Sequence, residues 1–453
     1  MYLSDNSIRL GMLRRPGRLA NQVIVPESII STGESMQTKL LIAAALSVSL
    51  SANAAQAQDK IKIGMLATLE GALTTLGEDA IRGMEIAMKQ AGSKAGGKTI
   101  EVVTFPTNAS PDSAVRGARK LVEQDKVDIL VGPVSGSEGI AIRDYSKTQP
   151  QVTFLNGSSG ALETTYVTPS PNFYRFNMDG SQWLSGLATY IFNEKKWRKI
   201  ATLAEDYSFP YTQLFGFIPE FCQLGGQVVE KFWVPLGTKD FASIIAKLPD
   251  DVDAIYLGLG GGDAVNFFNQ YAQAGGKAKL VGGSILVDQT VLSSKGTAKR
   301  IAIGIPSAGP QADVWDDPKW QAWVKLYQDS YPPEKRFTGP SLSGTGYYND
   351  FVALFTVLNK INGDLSDGHK KLRDGLATLE LDAPNGKITL DSNRQAIGTN
   401  FVTEVVELPN GDLVNKAVKI IPNVKQTLNF EPAAFAKLGL PSRTNPECKK
   451  SYN

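Results

Sequence analysis

From residue 60 onward, short apolar runs of strand length alternate with stretches whose apolar residues recur at helical spacing. Ile61–Ala67 reads as a strand. The helix after it carries Ala80, Met84, Ala87, Met88 and Ala91 on one stripe. Ile100–Phe105 is a second strand. Ser110-Pro111-Asp112 then predicts a helix start with an N-cap, a proline in the first turn and an acid beside it. Ala114, Ala118, Leu121 and Val122 form the buried face of that helix. Ile129–Val131 and Val152–Leu155 are the third and fourth strands, with a helix from about Gly139 between them. Repeated strand–helix–strand units require a parallel sheet with right-handed crossovers.

The plan then recurs. Ile200–Ala204, Gln227–Trp233, Ala254–Leu257 and Leu280–Gly282 read as strands. Tyr211–Leu224, Phe241–Leu248 and Ala264–Ala274 read as the helices between them. Two copies of one topology predict an α/β protein of two similar lobes, each a parallel sheet flanked by helices. Further on, the pattern predicts a strand over Ile301–Ile305 and helices over Pro318–Tyr331, Gly346–Asn362 and Gly368–Thr378. A hairpin follows, Phe401–Leu408 with Leu413–Ile420, turning at Pro409-Asn410-Gly411-Asp412.

Upstream, Met36–Ala57 has the layout of a secretory signal. Lys39 is its basic flank, Leu40–Leu50 its short apolar run, and Ala55-Gln56-Ala57 a small-x-small cleavage site. The alternative is a buried apolar helix. On the signal reading Met36 is the true initiator, residues 1–35 are an over-extended start and the exported chain begins at Gln58. No cysteine follows the apolar run to carry a lipid. Beyond Gln58 basic and acidic side chains are equal in number, which removes the electrostatic case for nucleic acid or an anionic membrane. No later apolar run is long enough to span a bilayer.

The chemistry-bearing residue types are sparse. Cys222 and Cys448 are the only cysteines. In an oxidising compartment they can pair, tying a polar C-terminal tail to a surface helix, or remain free. His369 is the single histidine and sits in a polar Asp-Gly-His-Lys-Lys run, where a solvated ring is expected. There is no metal-ligand cluster, no assembled Ser-His or Cys-His pair, no G-x-S-x-G elbow and no P-loop. No catalytic residue, metal or cofactor is expected, and the chain does not read as an enzyme.

What is dense is glycine and serine after the strands. Four such loops occur: Gly132–Glu138, Asn156–Gly160, Gly258–Gly262 and Gly282–Ser284. Each alone is consistent with a tight turn. Four of them, two per half, point to a shared cleft where backbone approaches a ligand and helix N-termini offer amides to a carboxylate.

These segments, in this order, resemble the type I periplasmic binding proteins of the leucine/isoleucine/valine-binding family. The matches lie in IKIGMLATLEG…GEDAIRGMEIAMKQ, DILVGPVSGSEGIAIRDY, TFLNGSSGALE and DAIYLGLGGGDAVNFFNQYAQAG, and extend over about 60–425. The resemblance implies two lobes joined by three crossovers near Asn177, Ser307 and Asn385–Asn400. The N-lobe would then be 58–177 and 308–390, and the C-lobe 178–307 and 391–453, the latter ending in a tail. By the same resemblance Ser135, Gly136, Ser137, Ser158, Ser159 and Gly160 hold a ligand carboxylate. Phe209 packs on the ligand, with Tyr207 and Tyr211 beside it as ligand contacts or core fillers.

Three positions depart from the amino-acid binders. Leu76 stands for a tyrosine, the loop around Gly260 lacks an aromatic, and Ser284 stands for the acid that pairs an ammonium. An ammonium buried without counter-charge costs several kcal/mol, so the expected ligand is a carboxylate lacking an α-ammonium, plausibly aromatic, unless Asp288 or Asp350 supplies the acid. The implied role is a monomeric periplasmic capture protein that closes about a hinge and delivers to an ABC permease and ATPase on separate chains. Alternatives are a branched-chain amino acid or amide binder, and a soluble sensor for a membrane receptor.

Overall fold

The structure is a computed structural model that describes residues 60–428 and 430–452; the predicted export segment Met36–Ala57, the residues before it and Gln58 lie outside them. The first half builds a sheet from β1 (Lys60–Thr68), β2 (Lys94–Ala95), β3 (Lys98–Thr107), β4 (Ile129–Val131), β5 (Thr153–Leu155) and β6 (Phe173–Tyr174), in the order β2-β3-β1-β4-β5-β6. All but β2 run parallel. The second half builds a parallel sheet from β7 (Lys199–Glu205), β8 (Gln227–Val234), β9 (Ala254–Gly258) and β10 (Lys279–Gly282), in the order β10-β9-β7-β8. In both, the first parallel strand lies between the next two parallel strands, β1 between β3 and β4 and β7 between β8 and β9. The direction of winding reverses there, and ligands of such sheets bind beyond the C-terminal strand ends at that point.

Ten helical segments matter to the site and its surroundings: α1 (Thr74–Gln90), α2 (Pro111–Arg119), α3 (Gly136–Ser146), α4 (Gly180–Trp183), α5 (Ser208–Gln223), α6 (Gly261–Gln273), α7 (Pro318–Ser330), α8 (Leu342–Lys360), α9 (Lys370–Ala377) and α10 (Pro432–Lys437). Both parallel sheets carry helices on their two faces, so the inner strands β1, β4, β5, β7 and β9 are buried along nearly their whole length rather than alternating, while β3 and β8 are partly exposed. In the first half, Ala80, Met84 and Ala87 of α1 meet Phe351, Leu354 and Leu358 of α8 over one face. Ala114, Ala118 and Ile142 cover the other with Leu130 and Phe154. In the second half Leu214, Phe217 and Phe221 pack beside Ile200 and Tyr256. Across the sheet, Ala264, Phe267 and Phe268 pack on Leu203 and Ile255. Ser110 caps α2 as expected, its Oγ accepting from Ser113 N at 3.3 Å.

A third, antiparallel sheet joins the halves. It comprises β11 (Pro306–Gly309), β12 (Leu381–Ala383), β13 (Gly386–Leu390), β14 (Ala396–Glu407) and β15 (Leu413–Val424), with β14 between β11 and β13 and also paired to β15. Ala396 lies in the first half's core, while Val402 and Val405 lie in cores of the second. One strand thus runs from one hydrophobic core to the other. The predicted hairpin is the middle of β14–β15, closed by Leu408 N donating to Asp412 O at 2.8 Å.

Several expectations are corrected. Ile301–Ile305 is not a strand: residues 298–302 form a short 3₁₀ turn, Ile303 is exposed, Gly304 takes φ +81°, and pairing starts only at Pro306. Phe241–Leu248 contributes a single turn, Ala242–Ile245, since two adjacent β-branched isoleucines and Pro249 give a helix little to propagate on. His369 is not solvated. Its ring is 7% exposed and its Nδ1 lies 3.1 Å from Thr153 Oγ1, because a left-handed backbone (φ +67°) at the start of α9 turns the side chain onto β5.

The C-terminal tail is pinned to the second half. Cys222 of α5 is bonded to Cys448, 226 residues away. Arg443 pairs with Asp206 just after β7, and Lys231 Nζ donates to Pro446 O at 2.6 Å. Phe435 and Leu438 at α10 pack on Leu162 and Phe215.

Two stability predictions follow from these contacts. Cys448→Ser releases a loop of this length and should lower unfolding free energy by about 2–5 kcal/mol, measured by urea titration of the oxidised protein. Burial depresses the His369 pKa from 6.5 to about 4. The neutral ring therefore stabilises the fold above about pH 6.5, and that contribution is lost as pH falls through 4. The stability difference between wild type and His369→Asn should shrink over that window; Asn keeps the left-handed backbone.

Candidate ligand-binding cleft

The helices that follow the parallel strands start at the strands' C-terminal ends, and their first turns face one another. α3 begins behind Ser135, α5 behind Tyr207 and α6 behind Gly260, while α8 enters behind Ser341, after the chain has crossed near Ser307. In four of these helices the pattern of apolar residues predicts a start three or four residues too late: 139 for 136, 211 for 208, 264 for 261 and 346 for 342. The reason is physical. These first turns face a cleft rather than a core, so they carry Ser, Gly and isolated apolar residues that show no stripe.

The two halves meet across the cleft. Ser137 Oγ and Ser208 Oγ lie 3.1 Å apart, Gly262 N donates to Ala72 O at 3.1 Å, and Leu342 N donates to Asp288 Oδ2 at 2.8 Å. Between them is a cavity walled by Leu73, Leu76, Val134, Ser158, Trp183, Tyr207, Phe209, Ile285, Leu342 and Ser343. The cavity left between these side chains is about 30 Å³. The walls are almost in contact.

Of the expected site residues, Leu76, Ser158, Tyr207 and Phe209 line this cavity. Gly136 and Gly160 stand directly against Phe209; a Cβ at Gly160 would come within 2.7 Å of its ring, so only glycine lets the ring seat there. Gly260 likewise abuts Ile285, and its N donates to Glu205 Oε1 at 2.9 Å. The remaining serines are outside the wall. Ser135 donates from Oγ to Ala109 O and from N to Glu138, Ser137 is engaged with Ser208, and Ser284 Oγ accepts from Gln213 Nε2 at 2.6 Å. Ser159 is buried, with no partner for its Oγ among the described residues. Tyr211 turns away to bond Asp206.

The wall contains no acidic residue. Asp288 is held by Thr290 and by the start of α8, and Asp350 is fully buried, which raises its pKa well above the usual carboxylate range. Two further acids lie behind the wall. Burial pushes Glu138 up to about 7 against the hydrogen bonds it accepts from Thr107, Ser135 N and Thr68. Burial raises Glu205 well above its ordinary value, and the Tyr207 hydroxyl stands near it. Both acids are therefore held toward their neutral forms, which lessens the repulsion an anion in the cavity would feel.

Five wall residues carry no signal in the sequence pattern, Leu73, Trp183, Ile285, Leu342 and Ser343, while Val134 stands in the Gly132–Glu138 loop without being marked by type. Ser343 Oγ lies 2.8 Å from Ser158 Oγ, across 185 residues of chain. This polar pair sits at the N-terminus of a 19-residue helix, the end that favours negative charge. Glycine and serine density marks the loops after parallel strands, but α8 arrives from a different direction and its serines have no such context.

Comparison with known proteins agrees with this architecture. A family model described as periplasmic binding protein matches residues 60–412. Leu/Ile/Val-binding protein homolog 6 of Brucella melitensis biotype 1 is 24% identical over 387 residues, covering 84% of this chain and 96% of that protein. The solved solute-binding protein of an ABC transporter from Rhodopseudomonas palustris BisB5, in complex with 3,4-dihydroxybenzoic acid, superimposes with a TM-score of 0.74 at 25% identity, over 81% of this chain and 99% of that one. A branched-chain amino acid transporter substrate-binding protein of Streptococcus pneumoniae, in complex with isoleucine, shares the fold, with a TM-score of 0.67 at 20% identity over 80% of this chain and 99% of that one. With two wound parallel sheets, a shared cleft and this match over most of its length, the chain belongs to the periplasmic binding protein family, in the two-lobed form of the Leu/Ile/Val-binding proteins.

Proposed function

We propose that this protein is the periplasmic substrate-binding component of an ABC importer and that its ligand is a small carboxylate without an α-ammonium, an aromatic acid in particular. The observation that carries the reading is the wall itself: apolar side chains, the rings of Trp183, Tyr207 and Phe209, the Ser158–Ser343 hydroxyls at the start of α8, and no acid. A carboxylate is served by hydroxyl and amide donors at a helix N-terminus, whereas an ammonium buried there has no counter-charge. The dihydroxybenzoate bound by the R. palustris protein is of this class.

The mechanism follows from the closeness of the walls. A ring enters only when the lobes part, by bending where the chain crosses between them near Asn177, Ser307 and Asn385–Asn400. The first lobe offers Ser158 and Leu76; closure adds Phe209, Tyr207 and Ile285. The ligand shifts the open–closed equilibrium only by the contacts it gains on closing, and the closed form is what a permease on a separate chain would read. The protein acts as a monomer without a cofactor and performs no chemistry on its ligand.

Two measurements test this. In a thermal-shift panel on purified protein, unfolded and refolded to strip carried-over ligand, benzoate and hydroxybenzoates should raise the unfolding midpoint. At about 100 times the dissociation constant a ligand adds about 2.7 kcal/mol. Leucine, isoleucine, valine and short amides should leave the midpoint unchanged, and a rise with leucine alone would refute the exclusion of an α-ammonium. Phe209→Leu should weaken binding of an aromatic acid about tenfold in titration calorimetry, with little change in the midpoint of the unliganded protein.

A further inference from the structure

Trp183 is held more firmly than a side chain that merely fills space. It ends the one-turn α4, whose N-cap Asp179 accepts from Ser181 N at 2.9 Å and Gln182 N at 3.0 Å. Its carbonyl accepts from Asn400 Nδ2 at 2.9 Å, and its neighbour Gln182 donates to Ala396 O and Val424 O, both at 2.9 Å. The indole stands edge-on to Phe209, ring centroids 5.4 Å apart, lines the cavity and is only 2% exposed. Yet its Nε1–H has no hydrogen-bond partner among the described residues. A buried indole N–H ordinarily finds one.

The other polar groups of the wall are committed. The Tyr207 hydroxyl stands near the buried Glu205 carboxyl, and Ser158 and Ser343 bond each other with one hydroxyl hydrogen left over, beside a helix N-terminus suited to an anion. The indole N–H is a neutral donor set among a phenyl ring and aliphatic side chains, an environment that suits a neutral acceptor better than a charged one. Resting on the carboxylate reading above, we propose that Trp183 is a specificity-determining residue that donates to a neutral oxygen on the ligand's ring. The preferred ligand is then an aromatic carboxylate bearing a hydroxyl or ether oxygen rather than an unsubstituted one.

The test uses ligand pairs of equal size that differ only in the acceptor: 3- and 4-methoxybenzoate against 3- and 4-ethylbenzoate, by titration calorimetry on wild type and Trp183→Phe. In one of the two ring positions, wild type should prefer the methoxy acid by about tenfold, and Trp183→Phe should abolish that preference while still binding the ethyl acid. Equal losses for both members of a pair would overturn the role of Trp183 and leave the carboxylate reading standing. Wild type that binds none of the four acids, and not benzoate either, would overturn that reading itself. A second measurement needs no variant. In protein labelled with ¹⁵N at its six tryptophans, one indole N–H resonance should move downfield on adding the favoured methoxy acid and not its ethyl partner. No such difference would count against the proposal even if Trp183→Phe fails to fold.

Discussion

The arrangement of the cleft depends on a single guanidinium taken entirely out of water. Arg175 is 0% exposed, at the point where the chain leaves the first sheet for the second. An isolated charge there would be prohibitive, so every donor must be satisfied. Nη1 donates to Ala161 O at 2.7 Å, Nη2 to Thr165 Oγ1 at 2.6 Å and Nε to Gln395 Oε1, while Asp179 supplies the counter-charge at 3.6 Å. Burial still lowers its pKa to about 10, high enough to keep it charged. Gln395 reaches on to Gln182, and Gln426 to Asp179, both at 2.8 Å. One network thus ties together the segments around 161–182, 395 and 426, and any loss of one member leaves polar groups stranded at low dielectric. Trp183 and the first-lobe loop of Ser158–Gly160 hang directly from this network, so their positions are set by it.

A rigid knot on one side and opposed helix starts on the other divide the molecule's physical roles. The helix starts hold small residues and a few hydrogen bonds between halves, contacts weak enough to break when the lobes part. The knot is satisfied internally and has no reason to yield. On the hinge reading proposed above, bending near Asn177 and Asn385–Asn400 leaves Arg175 and its partners together as a unit and falls on the backbone that flanks them, β14 between the two cores included.

How much of this was legible in the sequence follows from where periodicity exists. The parallel strands and the bodies of the long helices pack on continuous cores, so Ile61–Ala67, Ile129–Val131 and the stripe of α1 announced themselves, as did the doubled topology. Of the candidate wall, Leu76, Ser158, Tyr207 and Phe209 were singled out through the resemblance to the Leu/Ile/Val-binding proteins, Ser158 standing also in a glycine-rich strand-end loop. Ser343 and Trp183 were not, because the one pairs with Ser158 across 185 residues and the other stands on a single turn with no stripe. Arg175 and His369 were missed for a related reason. A charged or titratable residue looks like surface in a linear pattern, and only the fold shows that its partners come from distant segments.

The composition of the wall also explains why the charge of the ligand, more than its shape, should decide what binds. Aliphatic walls discriminate poorly: an added or missing methylene changes affinity by only about 1–3 kcal/mol, and Leu73, Leu76, Val134, Ile285 and Leu342 would accept a leucine side chain as readily as a ring. Charge is different, because its desolvation must be compensated within the cavity. Here the acids nearest the wall are held toward neutrality or turned to other partners, and the donors present are hydroxyls, an indole and a helix N-terminus. On the proposed reading, such a site favours a carboxylate and leaves an ammonium uncompensated. By the resemblance, amino-acid binders of this fold carry an acid at one position near the second lobe's last parallel strand. In this chain that position is Ser284, its hydroxyl already taken by Gln213.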